Sequence, residues 1–493
     1  MHKLIRSAGL GFALSLTLAA CSQLPPEWKV GPDYEKPKVD VPKNWRFADR
    51  EARNTANLQW WRQLGDPVLN RLEEQAMLGN LDLKMAVDRV DEFMGLYGAT
   101  RSNLFPQISG FGDILGRKTS AKMFVLPDGI EFNNQPHDYA RLGAQMSWEI
   151  DVWGQLRRAN EAAFAEMLST EHVKRGVILT LASDVAQAYI QLRTLDKSLE
   201  ITRAVVTTLE EQKRIESARF REGFSSELSV SQVQSEYERR SALIPKAEEN
   251  IAQTEHAMKL LLGKNPGAIT RGLTLDELAL PPVPKGLPSD LLMRRPDIAA
   301  AEQTLIAANA RIGVARGQYF PRIALTGDVG QLSAEAASLF TPGANFWTIG
   351  TSVIGPIFTA GRIAGQVQAA EAIQRQALAN YQQSILAAFR EFENALVGLQ
   401  KSREQQLKQA ARVAAVDRYY RLSKLQYDEG MVDYITVLDS LRQLFEAQIS
   451  LLDAQSATYS AAIQLYRAMG GGWILANEEH IGIPQPPIPE PYP

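Results

Sequence analysis

The clearest chemical signal in the sequence is its single cysteine. Cys21 ends the tetrapeptide Leu18-Ala19-Ala20-Cys21, which has the form of a bacterial lipobox, where a signal peptidase cuts before a cysteine that carries lipid. The preceding residues have a basic start and then an apolar run, residues 10–20, that is too short to span a membrane permanently. The sequence therefore predicts a signal peptide over residues 1–20 and a covalent lipid on Cys21.

The residue after the cysteine indicates where the lipoprotein is sent. Aspartate at this site retains lipoproteins in the inner membrane, so Ser22 predicts transfer to the outer membrane of a Gram-negative bacterium. A single thiol also excludes an internal disulfide. We expect no cofactor apart from the covalent lipid on Cys21.

The rest of the sequence lacks the patterns of catalysis and metal binding. The histidines do not have the spacing of metal ligands, and neither a Gly-x-Ser-x-Gly motif nor a phosphate-binding loop occurs. The net charge is −3 and charges of both signs are interspersed, so the sequence has no basic patch of the kind that binds nucleic acid. The sequence thus predicts a protein that is not an enzyme and whose function is mechanical: a conduit, a scaffold or an anchor. The five histidines are His2, His137, His172, His256 and His480.

The elements that must position any functional residue come in two copies. Three glycine markers recur at a constant offset of 207 residues, and a Phe-Pro marker recurs at an offset of 215. A register held over roughly 110 residues indicates two copies of one structural unit. The matched markers are Gly154 and Gly361, Gly223 and Gly430, Gly263 and Gly470, and Phe105-Pro106 and Phe320-Pro321.

Each copy carries a very long helix. Between Gly154 and Gly223 there is no proline and one further glycine, and apolar residues step by three and four, which predicts a coiled-coil seam rather than a broad apolar stripe. A helix of about 65 residues is roughly 100 Å long. We therefore expect protruding helical hairpins that turn at Gly223 and Gly430. The seam positions of the first copy are Ile178, Leu181, Val185, Ala188, Leu192, Leu195 and Leu199.

Each copy also carries two candidate strands. From Arg141 to Val152 apolar and polar residues alternate strictly, over about the length of a transmembrane strand. A soluble sheet with one wet face explains the alternation equally well. The predicted strands are residues 106–117, 139–153, 321–332 and 346–359.

The number of strands favours the membrane interpretation with several chains. Barrels in membranes need about eight strands, and an open sheet edge is not stable in lipid. Four strands per chain cannot close alone, so several chains must share one barrel if the strands cross a membrane.

The predicted organisation follows from these signals. Two proline-rich regions, residues 22–65 and 263–290, should pack as a belt around the helices. The predicted segments are a signal peptide at 1–20, a lipidated extended segment at 21–65, the first copy at 66–263, an equatorial linker at 264–287, the second copy at 288–470 and a tail at 471–493.

Several longer motifs carry a family resemblance over essentially the whole mature chain. The most specific is Arg294-Arg295-Pro296-Asp297-Ile298, and others are Trp60-Trp61 followed by Gly65-Asp66-Pro67, Asn80-Leu81-Asp82-Leu83, and residues 148–154. With these motifs the chain resembles the outer membrane factor (TolC-like) family, specifically the NodT-type lipoproteins of tripartite efflux systems.

The resemblance implies a fold and a function. The fold is mainly α with membrane β-strands, and four strands from each chain of a homotrimer form a twelve-stranded barrel above a helical tunnel. The function is a passive exit duct that docks to a periplasmic adaptor and an inner-membrane RND-type transporter, with drugs, metal ions and peptides all open as substrates. A structural lipoprotein scaffold is the alternative. The hairpin ends that would dock to the adaptor contain Gly223, Ser226, Glu227, Leu228, Gly430 and Val432.

The resemblance also places a periplasmic gate at the second hairpin. Asp439 matches an acidic ring that closes the tunnel, and Ile435, four residues earlier on the same helix face, matches an apolar ring. Asp433 and Tyr427 complete the predicted gate. The alternative to a gate role is that Asp439 is an ordinary solvated acid on a helix and that Asp433 is an ordinary N-cap. Thr436 stands where the soluble members have a second acid, which makes a double acidic ring doubtful.

Overall fold

The computed structural model describes residues 29–39, 41–42, 59–118, 120, 136–283, 292, 294–471 and 474. In these ranges the chain is mainly α-helical with one antiparallel sheet of four strands, in the order β1-β2-β3-β4, which confirms the predicted fold class. None of the helices described combines the length and hydropathy needed to cross a membrane. Cys21 and the tail residues 475–493 lie outside the described residues.

The helices and strands alternate twice along the chain. The helices are α1 Pro67–Gly79, α2 Leu81–Ser102, α3 Gln155–Arg221, α4 Glu227–Ser241, α5 Leu243–Leu261, α6 Pro296–Gly317, α7 Arg362–Asp428 and α8 Tyr434–Ala468. The strands are β1 Gln107–Arg117, β2 His137–Ile150, β3 Arg322–Ser333 and β4 Asn345–Ile354. Short 3-10 helices cover Trp60–Leu64 and Ala336–Ser338.

The chain forms two compact units, each assembled from three segments. The first unit comprises Met1–Pro37, Glu92–Leu168 and Gln303–Ala379 and contains all four strands. The second comprises Lys38–Asp91, Ser169–Glu302 and Asn380–Pro493 and contains both helical turns marked by the sequence repeat.

The marker glycines of the repeat share an unusual backbone conformation. All six have φ between +65° and +84°, a region that glycine enters without the strain of a side chain. After α3 the N–H of Phe224 donates to the carbonyl of Arg219 at 2.8 Å, and after α7 the N–H of Met431 donates to the carbonyl of Gln426 at 2.8 Å. Both are the hydrogen bonds of a glycine-ended helix, so the sequence repeat is a repeat of turns.

The two long helices have the predicted length, but their burial differs from the prediction. α3 and α7 each contain 67 residues. The prediction of a narrow seam is wrong for the middle of α3, where residues outside the seam are buried as well, because this part packs on α1 and on the linker after α5. The additional buried residues are Leu179, Ala182, Ala186, Tyr189 and Ile190.

Two strands end earlier than the alternation predicted. β2 stops at Ile150 because the carboxylate of Asp151 caps the start of α3, accepting hydrogen bonds from the N–H groups of Leu156 at 3.0 Å and Arg157 at 2.8 Å. β4 stops at Ile354 because the chain continues into Gly355-Pro356, and proline has no N–H for the ladder. The other strand limits agree with the prediction within two residues.

Directly paired residues point to the same side, so the register places most of the large apolar side chains on one face of the sheet and most of the charged side chains on the other. The even positions from 142 to 150 share the apolar face, as the alternation predicted. The apolar face includes Ile108, Ile114, Leu142, Met146, Val329, Trp347, Ile349 and Val353. The other face includes Asp113, Arg141, Gln145, Thr326, Asp328, Thr348 and Ser352, together with Phe111 and Phe346.

In the second unit, Asp66 joins α1, α3 and the linker after α5. The fully buried carboxylate caps α1 by accepting from the N–H of Val68 at 2.7 Å, and it accepts from the hydroxyl of Tyr189 at 2.5 Å and the N–H of Leu273 at 2.9 Å. Gly272 passes so close to this carboxylate that a Cβ there would lie 2.2 Å from it. The Gly-Asp-Pro motif therefore holds the linker against the helices.

Glu73 on α1 leads to a prediction about stability. Its side chain is fully buried, neither carboxylate oxygen has a hydrogen-bond partner among the described residues, and burial raises its pKa well above the ordinary value. The folded state thus holds a proton that the unfolded chain loses above about pH 4.3, so this residue costs increasing stability as the pH rises. Replacing Glu73 by methionine should stabilise the fold at neutral pH by roughly 1–3 kcal/mol.

The measurement is denaturant unfolding in detergent at pH 5 and pH 8. The gain from Glu73→Met should be larger at pH 8. Glu74→Met is the matched control, because this neighbouring side chain is 61% exposed and its ion pair with Arg62 lies on the surface. A Glu73→Met variant less stable than the natural protein at pH 8 would show that the buried carboxyl is stabilising.

Candidate gate and docking site at the helical hairpin ends

Both helical hairpins end in short turns of similar geometry. In the first, Ser226 caps α4 by accepting a hydrogen bond from the N–H of Ser229 at 3.1 Å. In the second, Asp433 occupies the equivalent N-cap position of α8 with φ −77° and ψ 154°, but its side chain makes no capping hydrogen bond. The exposed carboxylate of Asp433 is therefore not engaged as an ordinary N-cap.

The residues predicted to dock a partner lie at the surface of these turns. Gly223, Ser226, Glu227, Leu228 and Gly430 are exposed, and Val432 is half-buried. Two large apolar residues at the same turns were missed by the sequence analysis. Phe224 is 84% exposed and Met431 is 68% exposed, and they occupy equivalent positions of the repeat.

The structure brings Ile435 and Asp439 together on the exposed face of α8. The opposite face of the helix is buried, with Tyr434, Val437 and Leu438 in an apolar cluster. Ile435 remains 43% exposed, and the exposed carboxylate of Asp439 accepts a hydrogen bond from Nε2 of Gln443 at 2.7 Å. This face therefore presents an apolar side chain and an acid one turn apart.

Tyr427, the fourth residue predicted for the gate, lies within the packed region between the hairpins. Its hydroxyl donates a hydrogen bond to the buried carboxylate of Glu216 at 2.7 Å, and its ring packs edge-on against Tyr434 with the centroids 5.4 Å apart. The guanidinium of Arg219 lies 5.1 Å from the ring centre. Burial and the bond to Glu216 raise the pKa of Tyr427 to about 12, so the hydroxyl keeps its proton at physiological pH.

Glu216 links the two hairpins through its buried carboxylate. Besides the bond from Tyr427 on α7, it accepts a hydrogen bond from Oγ of Ser225 in the first turn at 2.8 Å, and Nη1 of Arg219 lies 3.8 Å away. The side chain of Glu216 has no exposed surface. A buried polar group that loses its hydrogen-bond partners costs free energy. Separating the hairpin ends at Glu216 would therefore be unfavourable.

Glu236 on α4 makes a second polar link. Its buried carboxylate accepts hydrogen bonds from Arg239 and Arg240 on its own helix, and from Nε of Arg442 on α8 at 2.8 Å. Burial alone would raise the pKa of Glu236, but the three arginine hydrogen bonds outweigh it and hold that pKa below the ordinary value. The carboxylate is therefore charged at neutral pH and attracts Arg442 across the hairpins.

Comparing the two copies of the repeat could have pointed to both links. Glu216 and Glu236 correspond to Ser423 and Gln443, so each acid occurs in the first copy alone. Acids that break a repeat inside otherwise similar helices indicate a local role. Their partners could not be identified in this way, because Tyr427 is 211 residues from Glu216 and Arg442 is 206 from Glu236.

The family of the chain follows from a comparison with known sequences. The profile of the outer membrane efflux protein family matches residues 72–264 and 287–471, which cover both copies of the repeat. The chain belongs to the outer membrane efflux protein family. It is thus an outer-membrane efflux channel, and the family consists of channels rather than enzymes.

Individual relatives agree with this family over nearly their whole length. The solvent efflux pump outer membrane protein SrpC of Pseudomonas putida is 35% identical over 475 residues, which is 94% of this chain and 98% of SrpC. A crystal structure of CusC is 30% identical with a TM-score of 0.80, covering 90% of this chain and 100% of CusC. The open state of the Neisseria gonorrhoeae MtrE outer membrane channel is 27% identical with a TM-score of 0.81, covering 90% of this chain and 98% of MtrE.

Proposed function

We propose that this efflux channel is the exit duct of a tripartite pump, closed at rest by the ends of its second hairpin. It would passively conduct substrates from an inner-membrane RND-type transporter and its periplasmic adaptor across the periplasm and outer membrane. The observation that carries the proposal is the exposed apolar face of the sheet in a member of an efflux family. Discrete conductance steps in a planar bilayer would support the duct, whereas a structural lipoprotein scaffold would give none.

The sheet has the side-chain distribution of a membrane strand group. Ile108, Trp347, Ile349 and Val353 on its apolar face are between 63% and 74% exposed in the isolated chain. An apolar surface of this kind is unfavourable in water but suits lipid. Aromatic residues flank the strands at both ends, as in interfacial belts. They include Phe105, Tyr319, Phe320, Phe340 and Phe358.

The open edges of this sheet support a homotrimer. β1 and β4 have neighbours on one side in the described sheet, and lipid offers no hydrogen bonds to the other side. Three chains of four strands would close a barrel of twelve. Such a trimer would be the smallest closed assembly above about eight strands with a channel at its centre.

A charge on the apolar face should prevent stable insertion. Met146 lies opposite Ile108 of β1 and Gly327 of β3, whereas the adjacent Gln145 points to the polar face opposite Ser109 and Asp328. Met146→Arg should cost about 2–4 kcal/mol near the middle of the membrane. Gln145→Arg is the matched control and should be tolerated.

The measurement is the temperature at which the oligomer dissociates in a semi-native gel. The Met146→Arg variant should dissociate at a clearly lower temperature or fail to accumulate in the outer membrane. Equal behaviour of the two variants would show that this face does not contact lipid.

The described N-terminal segment supports the proposed lipid on Cys21. The N–H of Val30 donates to the carbonyl of Trp153 at 3.0 Å, three residues after β2 ends, and the buried guanidinium of Arg158 bonds Asp33 at 2.6 Å. The nine Cα-to-Cα steps from Cys21 to Val30 can span at most about 30 Å. A lipid on Cys21 can therefore reach the membrane surface next to the strands.

Labelled palmitate tests this part of the proposal. It should be incorporated into the natural chain and lost in Cys21→Ser. Because the strands supply most of the membrane contact and one acyl chain binds weakly, a Cys21→Ser chain exported by a non-lipoprotein signal should still insert. A Cys21→Ser protein that is wholly soluble without detergent would contradict the membrane sheet.

The gate is proposed from the exposed face of α8. Threefold symmetry would bring three copies of Asp439 together, where like charges attract cations, and three copies of Ile435 would exclude water beside them. Asp433 would add a further carboxylate at the turn, and Tyr427 would act as a positioning residue through Glu216. The exposed Phe224 belongs to the surface that would meet the adaptor.

Relatives of the chain belong to pumps that export different substrates. SrpC is described as part of a solvent efflux pump and CusC as part of a cation efflux system. Relatives of similar identity thus serve chemically different pumps, which agrees with a passive duct whose substrate is selected elsewhere.

A further inference from the structure

The internal repeat preserves strand register as well as sequence. In the first copy, Gln107 of β1 pairs with Ser147 of β2. Moving the first residue by the Phe-Pro offset of 215 and the second by the glycine offset of 207 leads to Arg322 and Ile354, which are paired in β3 and β4. The β-hairpins β1–β2 and β3–β4 therefore pair at equivalent residues of the repeat.

The same transfer holds further along the ladder. Asp113 pairs with Arg141, and the two offsets convert this pair into Asp328 and Thr348, which also pair. Both pairs begin with an aspartate, but its partner changes from a charged arginine to a threonine. The register is thus a property of the backbone repeat rather than of particular side-chain contacts.

The β2–β3 pairing that connects the two β-hairpins, called the joint from here on, can be transferred by the same two offsets. β2 of the first copy pairs with β3 of the second, and for example Ala144 lies opposite Val329. The equivalent joint between the second copy of one chain and the first copy of another is β4 against β1. Adding 207 to Ala144 gives Thr351, and subtracting 215 from Val329 gives Ile114.

We infer that β4 of one chain pairs antiparallel with β1 of a second copy of this chain, with Thr351 opposite Ile114. The joint rests on the proposed shared barrel, but its register is an additional statement. Within the described strands it runs from Thr348 opposite Arg117 to Ile354 opposite Phe111. It repeats the β2–β3 joint, so each copy supplies the backbone partners that the other lacks.

The side-chain faces agree with this register. Thr351 and Ile114 both belong to the apolar face, and their neighbours Ser352 and Asp113 both belong to the polar face. A slip by one residue would place every side chain of one copy on the wrong face of the shared sheet. The register derived from the repeat therefore keeps the apolar and polar faces of the two copies continuous.

The sizes of the paired residues also fit. Each glycine of the joint would lie opposite a branched side chain, which can fill the space above it. The pairs are Gly112 with Val353, Gly116 with Ile349, and Leu115 with Gly350. Slips by two residues keep the faces correct, so the experiment must separate them from the proposed register.

Cysteine cross-linking in outer membranes provides that test. Two double variants place thiols opposite each other, Ile114→Cys with Thr351→Cys, and Leu115→Cys with Gly350→Cys. Neighbouring ladder pairs alternate between wide and close spacing, so one of the two is a close pair suited to a disulfide. Cys21, the single natural cysteine, is replaced by serine behind a non-lipoprotein signal to remove background.

The controls shift the pair by two residues. Gly112→Cys with Thr351→Cys and Gly116→Cys with Thr351→Cys would place the Cα atoms about 7–8 Å apart, beyond easy bridging. After mild oxidation, non-reducing gels should show covalent dimers and trimers at least about fivefold more abundant for a proposed pair than for either shifted pair. Single-cysteine variants should give none.

Each outcome has a distinct meaning. A shifted pair that cross-links better than both proposed pairs would overturn the register while leaving the shared barrel in place. No inter-chain product from any pair, in protein that fractionates with the outer membrane, would overturn both the register and the shared barrel. Preferential linking of a proposed pair supports both.

Discussion

Replacing Ile435 and Asp439 together by alanine should open the resting channel. Both side chains lie on the exposed face of α8, one turn apart, while the other face of the helix is fixed in an apolar cluster. Under threefold symmetry the variant would lose both the apolar ring that excludes water and the acids that bind cations. We expect conductance in planar bilayers to rise several-fold and cells to admit large antibiotics such as vancomycin.

Single variants separate the two contributions. Asp439→Ala alone should chiefly weaken block by divalent cations, because it leaves the apolar ring of Ile435 in place. Gln232→Ala is the matched control, since Gln232 occupies the position of Asp439 in the first copy and is half-buried. A double variant that conducts like the natural protein would place the gate elsewhere in the channel.

Removing the hydroxyl of Tyr427 should make the closed state easier to leave. Tyr427→Phe keeps the ring against Tyr434 but removes the hydrogen bond from α7 to the buried carboxylate of Glu216. Leaving a buried acceptor without its partner costs about 1–3 kcal/mol, and 1.4 kcal/mol is about a tenfold change in an equilibrium. If the hairpins separate on opening, the open population should rise about tenfold or more.

Two further variants test this link between the hairpins. Arg442→Met removes the hydrogen bond to Glu236 and should act in the same direction, but more weakly, because Arg442 is 36% exposed and solvent screens its charge. Tyr420→Phe is the control, since Tyr420 packs on the same apolar cluster but bonds neither acid among the described residues. An open population of Tyr427→Phe equal to that of Tyr420→Phe and of the natural protein would contradict this role. It would mean that, in the natural protein, Tyr427 keeps its hydrogen bond to Glu216 when the channel opens.

The parts of the fold that depend on local sequence were predictable. Gly223 and Gly430 marked the turns because each turn needs a positive φ, and the length of α3 followed from the absence of proline and the scarcity of glycine between Gly154 and Gly223. The apolar face of β2 followed from strict alternation. In each case neighbouring residues alone determine the conformation.

The remaining features depend on contacts between distant residues. Asp151 continued the alternation of β2, and nothing in its neighbourhood showed that its carboxylate would cap α3. The broad burial of α3 arises from α1 and the linker, which pack around it from far along the chain. The resemblance assigned Tyr427 to the gate, but its bond to Glu216 became visible with the packing of α3 against α7.

Single-channel recording in a planar bilayer tests the central claim most directly. The purified protein must be free of other porins, and circular dichroism must show that it is folded. It should then give discrete conductance steps that are small for the natural chain and several-fold larger for the Ile435→Ala, Asp439→Ala variant. The complete absence of steps from both proteins, after insertion has been verified by protease protection, would contradict the exit duct and favour a structural lipoprotein.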